Sequence, residues 1–302
     1  FLKRLKDLSD EVCPVVKDRR TGAEYPVLAA LVDHKLKELD YKLAVSHEVE
    51  FIGYNHPDGK RTYLRSLCFV LQNAVRRIYP DKVLIINHSL PSGLYCTICE
   101  KEPLEDGRRA VHELDDNALA ELKEEMRSIV SADLPFTKVK MEAAAAEELF
   151  LANGQPDKAA LLKSLGVLIC SVYYLDGQAD TFHGPLLPST GYLKVFDLMP
   201  YGEGFCLQFP SDNDFNKVIP VRKQSRIAST LMDYADWCSI IGVNGIGTLN
   251  KAVLAGEASR LINLAEALHE RNYAAIADKI YEKRGQVKIV FIAGPSSSGK
   301  TS

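Results

Sequence analysis

The chain has 302 residues, a formal net charge of −3, 46% hydrophobic residues and 25% charged residues. These are the values of an ordinary globular protein with room for about two domains. The balance is not the strongly basic one of a general nucleic-acid binder, and no apolar run approaches the ~20 residues that span a bilayer, so neither DNA nor a membrane is an expected partner.

Seven cysteines, an odd number, are scattered along the chain. They read as reduced thiols of a cytoplasmic protein rather than a disulfide scaffold. The first residue is not Met, and "FLKRLKDLSDEV" has no apolar signal-peptide core. The chain is therefore expected to start inside a longer reading frame or to have been processed.

In chain order, Leu2, Leu5 and Leu8 suit a short amphipathic helix. "YPVLAALVD" (25–33) and "HEVEFIGY" (47–54) read as strands, and "NHPDGK" (55–60) as a turn. The first domain boundary is placed there. "TYLRSLCFVLQNAVRRIYP" (62–80) has helical spacing and is closed by Pro80. "KVLIINHSL" and "GLYCTICE" follow as strands. Cys96 and Cys99 form one C-x-x-C inside the second of them. A zinc ribbon needs another such pair, so these are packing cysteines.

"LDDNALAELKEEMRSIVSAD" is a helix with Leu119, Leu122, Met126 and Ile129 on one face. Residues 140–154 and 157–166 read as two more helices. "VLICSVYYLDG" reads as a buried strand, and "GYLKVFDLMPYGEGFCLQFP" as two antiparallel strands around 200–204. From Lys223 to Arg284 the pattern is helical. Glu266 and His269 form an isolated E-x-x-H, and "GVNGIGTLN" lacks the preceding strand of a dinucleotide loop; both read as ordinary helix-face and turn chemistry. "RRIYPDK" and Arg108-Arg109 are short basic clusters, read as surface charge.

The last stretch is "VKIVFIAGPSSSGKTS". Its G-x-x-x-x-G-K-[ST] spacing follows an apolar run of strand length (288–294), the context of a phosphate-binding loop. Gly294 and Gly299 would permit the loop's backbone angles, and successive N–H groups, Ser297 and Ser298 included, would cradle phosphates. Lys300 would lie against the β- and γ-phosphates of ATP, and the Thr301 hydroxyl would hold Mg²⁺. The helix, the acidic Mg²⁺ ligand and the acceptor pocket would all lie after Ser302. The chain by itself is therefore expected to be inactive as a kinase, and its catalytic residues are unknown.

"GKRTYLRSLCFVLQNAVRRIYP", "ADLPFTKVKMEAAAAEELF" and "FHGPLLPSTGYLKVFDL" resemble the editing-type domain of threonyl-tRNA synthetases, and 25–54 resembles the TGS module before it. "EALHERNYAAIADKI" together with the phosphate-loop ending resembles bacterial uridine kinase-like proteins that carry this front end. The resemblance implies an α+β fold in four parts: a TGS-like domain (1–58), an editing-like domain with an antiparallel sheet (59–222), a helical connector (223–285) and the first strand and loop of an α/β kinase domain (286–302).

The editing family uses H-x-x-x-H on a helix and C-x-x-x-H before a Gly-Pro loop. The matching positions here are Arg65 and Phe69, then Phe182 and Leu186. Phe and Leu neither ligate metal nor transfer protons. The resemblance thus implies a degenerate site without zinc, and it argues against an active hydrolase. His183 beside it reads as a solvated loop residue. The main functional expectation is the front part of an ATP-dependent uridine-type kinase acting on a nucleoside 5′-hydroxyl, with ATP and Mg²⁺ as cofactors. The alternative is a tRNA- or nucleotide-sensing regulatory module coupled to a P-loop NTPase.

Overall fold

The computed structural model describes residues 3–18, 21–212, 214–220 and 225–294. Two compact units are present, Phe1–Thr248 and Leu249–Ser302. The first begins with β1 (Lys3–Arg4), α1 (Leu5–Val12), β2 (Val15–Lys17), β3 (Glu24–Pro26), β4 (Ala29–Val32), β5 (Lys35–Lys37), β6 (Lys42–Leu43) and β7 (Val49–Ile52). Sheet order is β5-β4-β7, with β1-β6 and β2-β3 as small antiparallel pairs. Leu5, Val27, Ala30, Val32 and Leu39 form the core of this part.

The strand expected over 25–33 is two strands. Pro26 ends the first because it has no N–H to continue the ladder. β3 pairs with β2, whereas β4 pairs with β5 and β7.

α2 (Pro57–Ile78) starts five residues before its expected beginning. "NHPDGK" is therefore the helix start rather than a turn. Pro57 occupies the first helical position, where its missing N–H costs nothing, and the His56 ring accepts from the Asp58 N–H at 3.1 Å. α2 packs beneath β8 (Lys82–Leu90), β9 (Gly93–Glu100) and α3 (Asp116–Ser131). Asp115 caps α3, accepting from Ala118 N–H at 2.7 Å.

β10 (Thr137–Glu142) precedes α4 (Ala143–Ala152), and α5 (Pro156–Leu165), β11 (Ile169–Leu175) and β12 (Gln178–Asp180) follow. The helix expected over 140–154 thus yields its start to a strand. Val139 and Met141 alternate with lysines and pair with Val172 and Cys170 of β11. That ladder overrides the helical propensity of the stretch. A 3₁₀ turn (Thr190–Tyr192) leads to β13 (Asp197–Tyr201) and β14 (Gly204–Gln208), the expected hairpin. The main sheet runs β13-β14-β9-β8, all antiparallel. Its inner face, with Leu84, Cys96, Ile98, Leu198 and Leu207, closes on α2 and α3.

α6 (Ser225–Ile240) and α7 (Ile246–Leu254) follow, and α8 (Ala258–Glu282) is the long helix of the second unit. On α8, His269 lies against the Tyr273 ring at 4.6 Å, an ordinary helix-face contact. After α8, residues 287–294 form no strand, and Phe291 and Ile292 are 88% and 76% exposed. The buried strand expected at 288–294 is corrected: an apolar run becomes a strand only when a neighbour completes its ladder, and none does so among the described residues. No helix among the described residues is long and apolar enough to cross a membrane.

All seven cysteines are free. Cys96 and Cys99 are three apart in β9 and so face opposite sides of the sheet. Burial pushes the Cys68 thiol up to about 12, Cys206 to about 11, and Cys96 well above its usual range. Native-state alkylation near neutral pH is expected to modify Cys13 and spare Cys68, Cys96 and Cys206 until the chain unfolds. Peptide mapping checks this; early labelling of Cys96 would contradict the packing.

Candidate functional site: a closed editing-like cleft

The structure brings all four motif-matched positions together. Arg65 and Phe69 lie one helical turn apart on α2, so they share a face. Phe182 and Leu186 come from the loop after β12, which runs across that face. The Phe69 ring is fully buried, 5.2 Å from Phe182 and 6.0 Å from Phe136. Tyr173 of β11 closes the cluster edge-on to Phe182 at 6.0 Å. Leu186 is buried beneath it.

Arg65 is half-buried. Its Nε donates to Pro185 O at 3.2 Å and its Nη2 to Thr62 Oγ1 at 3.1 Å. Burial lowers its pKa from the ordinary guanidinium value, opposed by the nearby Tyr173 and Asp58. No carboxylate lies within ion-pair distance of it among the described residues. Gly184 shows how tightly the loop sits. Its φ is +127°, and a Cβ there would lie 2.9 Å from Arg65 Cζ. Gly184→Ala is therefore expected to cost about 1–3 kcal/mol, from the backbone strain alone, and to displace Arg65. A urea titration checks it; an unchanged midpoint would contradict the contact.

The cleft's hydroxyls are already engaged. Ser66 Oγ donates to Thr62 O at 2.9 Å and accepts from Leu187 N–H at 2.9 Å. Thr62 Oγ1 donates to Asp58 O at 2.8 Å while accepting from Arg65. The Tyr173 hydroxyl donates to Glu38 Oε2 at 2.9 Å, and Lys138 holds Glu38 Oε1 at 2.9 Å. Burial, with Glu38 beside it, raises the Tyr173 pKa. His183 is exposed to solvent at the cleft's edge. No group of three His, Cys, Asp or Glu side chains suited to a metal occurs among the described residues.

Thr62 and Ser66 are legible from the sequence, since each lies three or four residues from a matched position on the same helix. Glu38, Lys138 and Tyr173 are not, because only the tertiary fold joins them.

Of the expected ATP loop, only Gly294 is among the described residues, in exposed chain outside any strand or helix. Ser297, Ser298, Gly299, Lys300 and Thr301 lie outside them.

No protein-family model matches the chain. Among curated proteins it is similar to the threonine–tRNA ligase of Desulforamulus reducens, 30% identical over 189 residues, covering 62% of this chain and 28% of the relative. The threonine–tRNA ligase of Carboxydothermus hydrogenoformans is 28% identical over 173 residues, 57% of this chain and 26% of the relative. That of Halorhodospira halophila is 29% identical over 168 residues, 55% and 25%.

The chain contains a threonyl-tRNA-synthetase-like region. It spans about a quarter of the length of these relatives. The mixed α+β architecture with small antiparallel sheets agrees with that likeness. The uridine-type kinase expectation is corrected: the relatives found are synthetases, they match well over half of this chain, and the strand on which the kinase reading leaned is not formed.

Proposed function

We propose that the chain is a tRNA-sensing module of synthetase-like build, a TGS-like part followed by an editing-like part that binds without hydrolysing. One observation carries the reading. At the position matched to a site histidine stands a half-buried guanidinium with no carboxylate partner among the described residues, beside a cleft otherwise filled by Phe69, Phe182 and Leu186. A guanidinium in that state suits a phosphate or carboxylate oxygen, and it transfers no proton. The names of the relatives supply the partner class, tRNA. The spacing at 294–301 supports reading that stretch as the start of an ATP–Mg²⁺ phosphate loop to which the sensor is joined.

The experiment is a filter-binding titration of the full chain with threonine-acceptor tRNA at two salt concentrations. Binding is expected to weaken steeply as salt rises, because phosphate contacts release counterions. Arg65→Ala is expected to weaken it and flatten the salt slope by about one unit. Salt-insensitive binding, or an Arg65→Ala variant that binds as the wild type does, would sink the reading.

A further inference from the structure

A separate cavity of 610 Å³ runs around the edge strand β8 of the main sheet, between α6 on the outer face and the C-terminal half of α2 with residues 153–158 on the other side. This is well inside the range of about 300–1,000 Å³ typical of small-molecule sites. Its floor is apolar. Val83 and Ile85 of β8 pair with Cys99 and Thr97 of β9, which places all four on one face. Met232 and Ala235 of α6 form the opposite wall.

The rim is cationic. Arg76, Lys82, Lys101, Arg108, Arg109 and Lys158 line the cavity, against only two carboxylates, Asp157 and Asp236. Three of the six have no carboxylate partner within ion-pair distance among the described residues. Lys101 Nζ donates to Pro80 O at 2.7 Å, and Arg109 Nη1 donates to the main-chain oxygens of Glu100 and Lys101. Arg76 makes no ion pair among those residues. Arg108 bridges from the loop to Asp236 of α6 at 3.5 Å, tying the roof to the rim. The Gln155 Oε1 is buried at the cavity wall with no hydrogen-bond partner. These basic residues come from three separate stretches, including both clusters that read as plain surface charge in the sequence.

We infer that this cavity is a binding site for a nucleoside phosphate. The apolar slot between β8–β9 and α6 takes the flat base. Arg76, Lys101 and Arg109 take the phosphates, and Gln155 accepts from a base amino or sugar hydroxyl group. Each feature alone is unspecific, but an apolar slot and three cations without a carboxylate partner among the described residues, in one cavity, match a nucleotide's two halves. The site is independent of Arg65 and of the tRNA reading. The terminal nucleotide of an RNA presents the same chemistry, so the test separates the two sources.

The test is isothermal titration of the full chain with ADP, UDP, adenosine and inorganic pyrophosphate, with tRNA as competitor. ADP or UDP is expected to bind, and adenosine and pyrophosphate each to bind about tenfold more weakly or worse. Arg76→Glu, which breaks no ion pair, and Ala235→Trp, which fills the slot, are each expected to cost about tenfold or more, with thermal melting unchanged. Retained ADP binding in the presence of saturating tRNA assigns the site to a free nucleotide. Displacement by tRNA, full binding by Arg76→Glu and Ala235→Trp, or no binding of ADP or UDP at about 1 mM would each overturn the inference.

Discussion

Phe69→Ala is expected to lower the unfolding free energy by about 3–5 kcal/mol, the usual cost of deleting a fully buried ring. Phe69 has no solvent exposure and contacts Phe136 and Phe182, so nothing around it can relax into the space without moving α2 or the 181–187 loop. In a unit of this size the same loss lowers the melting temperature by roughly 6–20 °C. Phe182→Ala is expected to cost less, because Phe182 is only partly buried against the same core. Chemical denaturation of both variants checks the order. A Phe69→Ala cost below about 1 kcal/mol would mean that the ring does not close the cleft.

Wild-type protein is expected to release the amino acid from mischarged threonine-acceptor tRNA no faster than buffer does. A competent hydrolase accelerates such a reaction by at least about 10⁶-fold, so the difference is unmistakable. Chemistry there would require a base or a nucleophile within reach of the ester. Ser66 and Thr62 each donate to a main-chain carbonyl and accept a further hydrogen bond, Tyr173 is raised and tied to Glu38, and the guanidinium of Arg65 holds its proton. Turnover above background would show that a group outside this description does the work. Reinstating one imidazole, as in Phe69→His, is expected to destabilise the core without creating activity. It would bury a polar ring among Phe136 and Phe182 with no partner.

The parts of the fold set by local chemistry are readable in the sequence. α3 follows from its apolar spacing and the Asp115 cap, and the β13–β14 hairpin from the glycines around 202–204. The elements set by distant partners are not. Lys138 to Met141 become a strand because β11 lies beside them, and 288–294 do not because nothing among the described residues does. The same division holds for the site. Arg65, Phe69, Phe182 and Leu186 are found through the family resemblance, which matches each to a position in a short local motif. Glu38 and Lys138 meet Tyr173 across 135 and 35 residues of chain, and no local pattern marks them. The kinase expectation rested on a motif of a few residues, whereas the likeness to threonine–tRNA ligases extends over more than half of the chain.

The most direct test places a photocrosslinking side chain at position 183. His183 is exposed at the edge of the cleft and makes no hydrogen bond or ion pair among the described residues. With threonine-acceptor tRNA bound to the full chain, the crosslinks are expected at the acceptor end, and Arg65→Ala is expected to reduce their yield. Crosslinks confined to the anticodon arm, or none while tRNA is bound, would contradict the account of this cleft as a tRNA-reading, non-hydrolytic site.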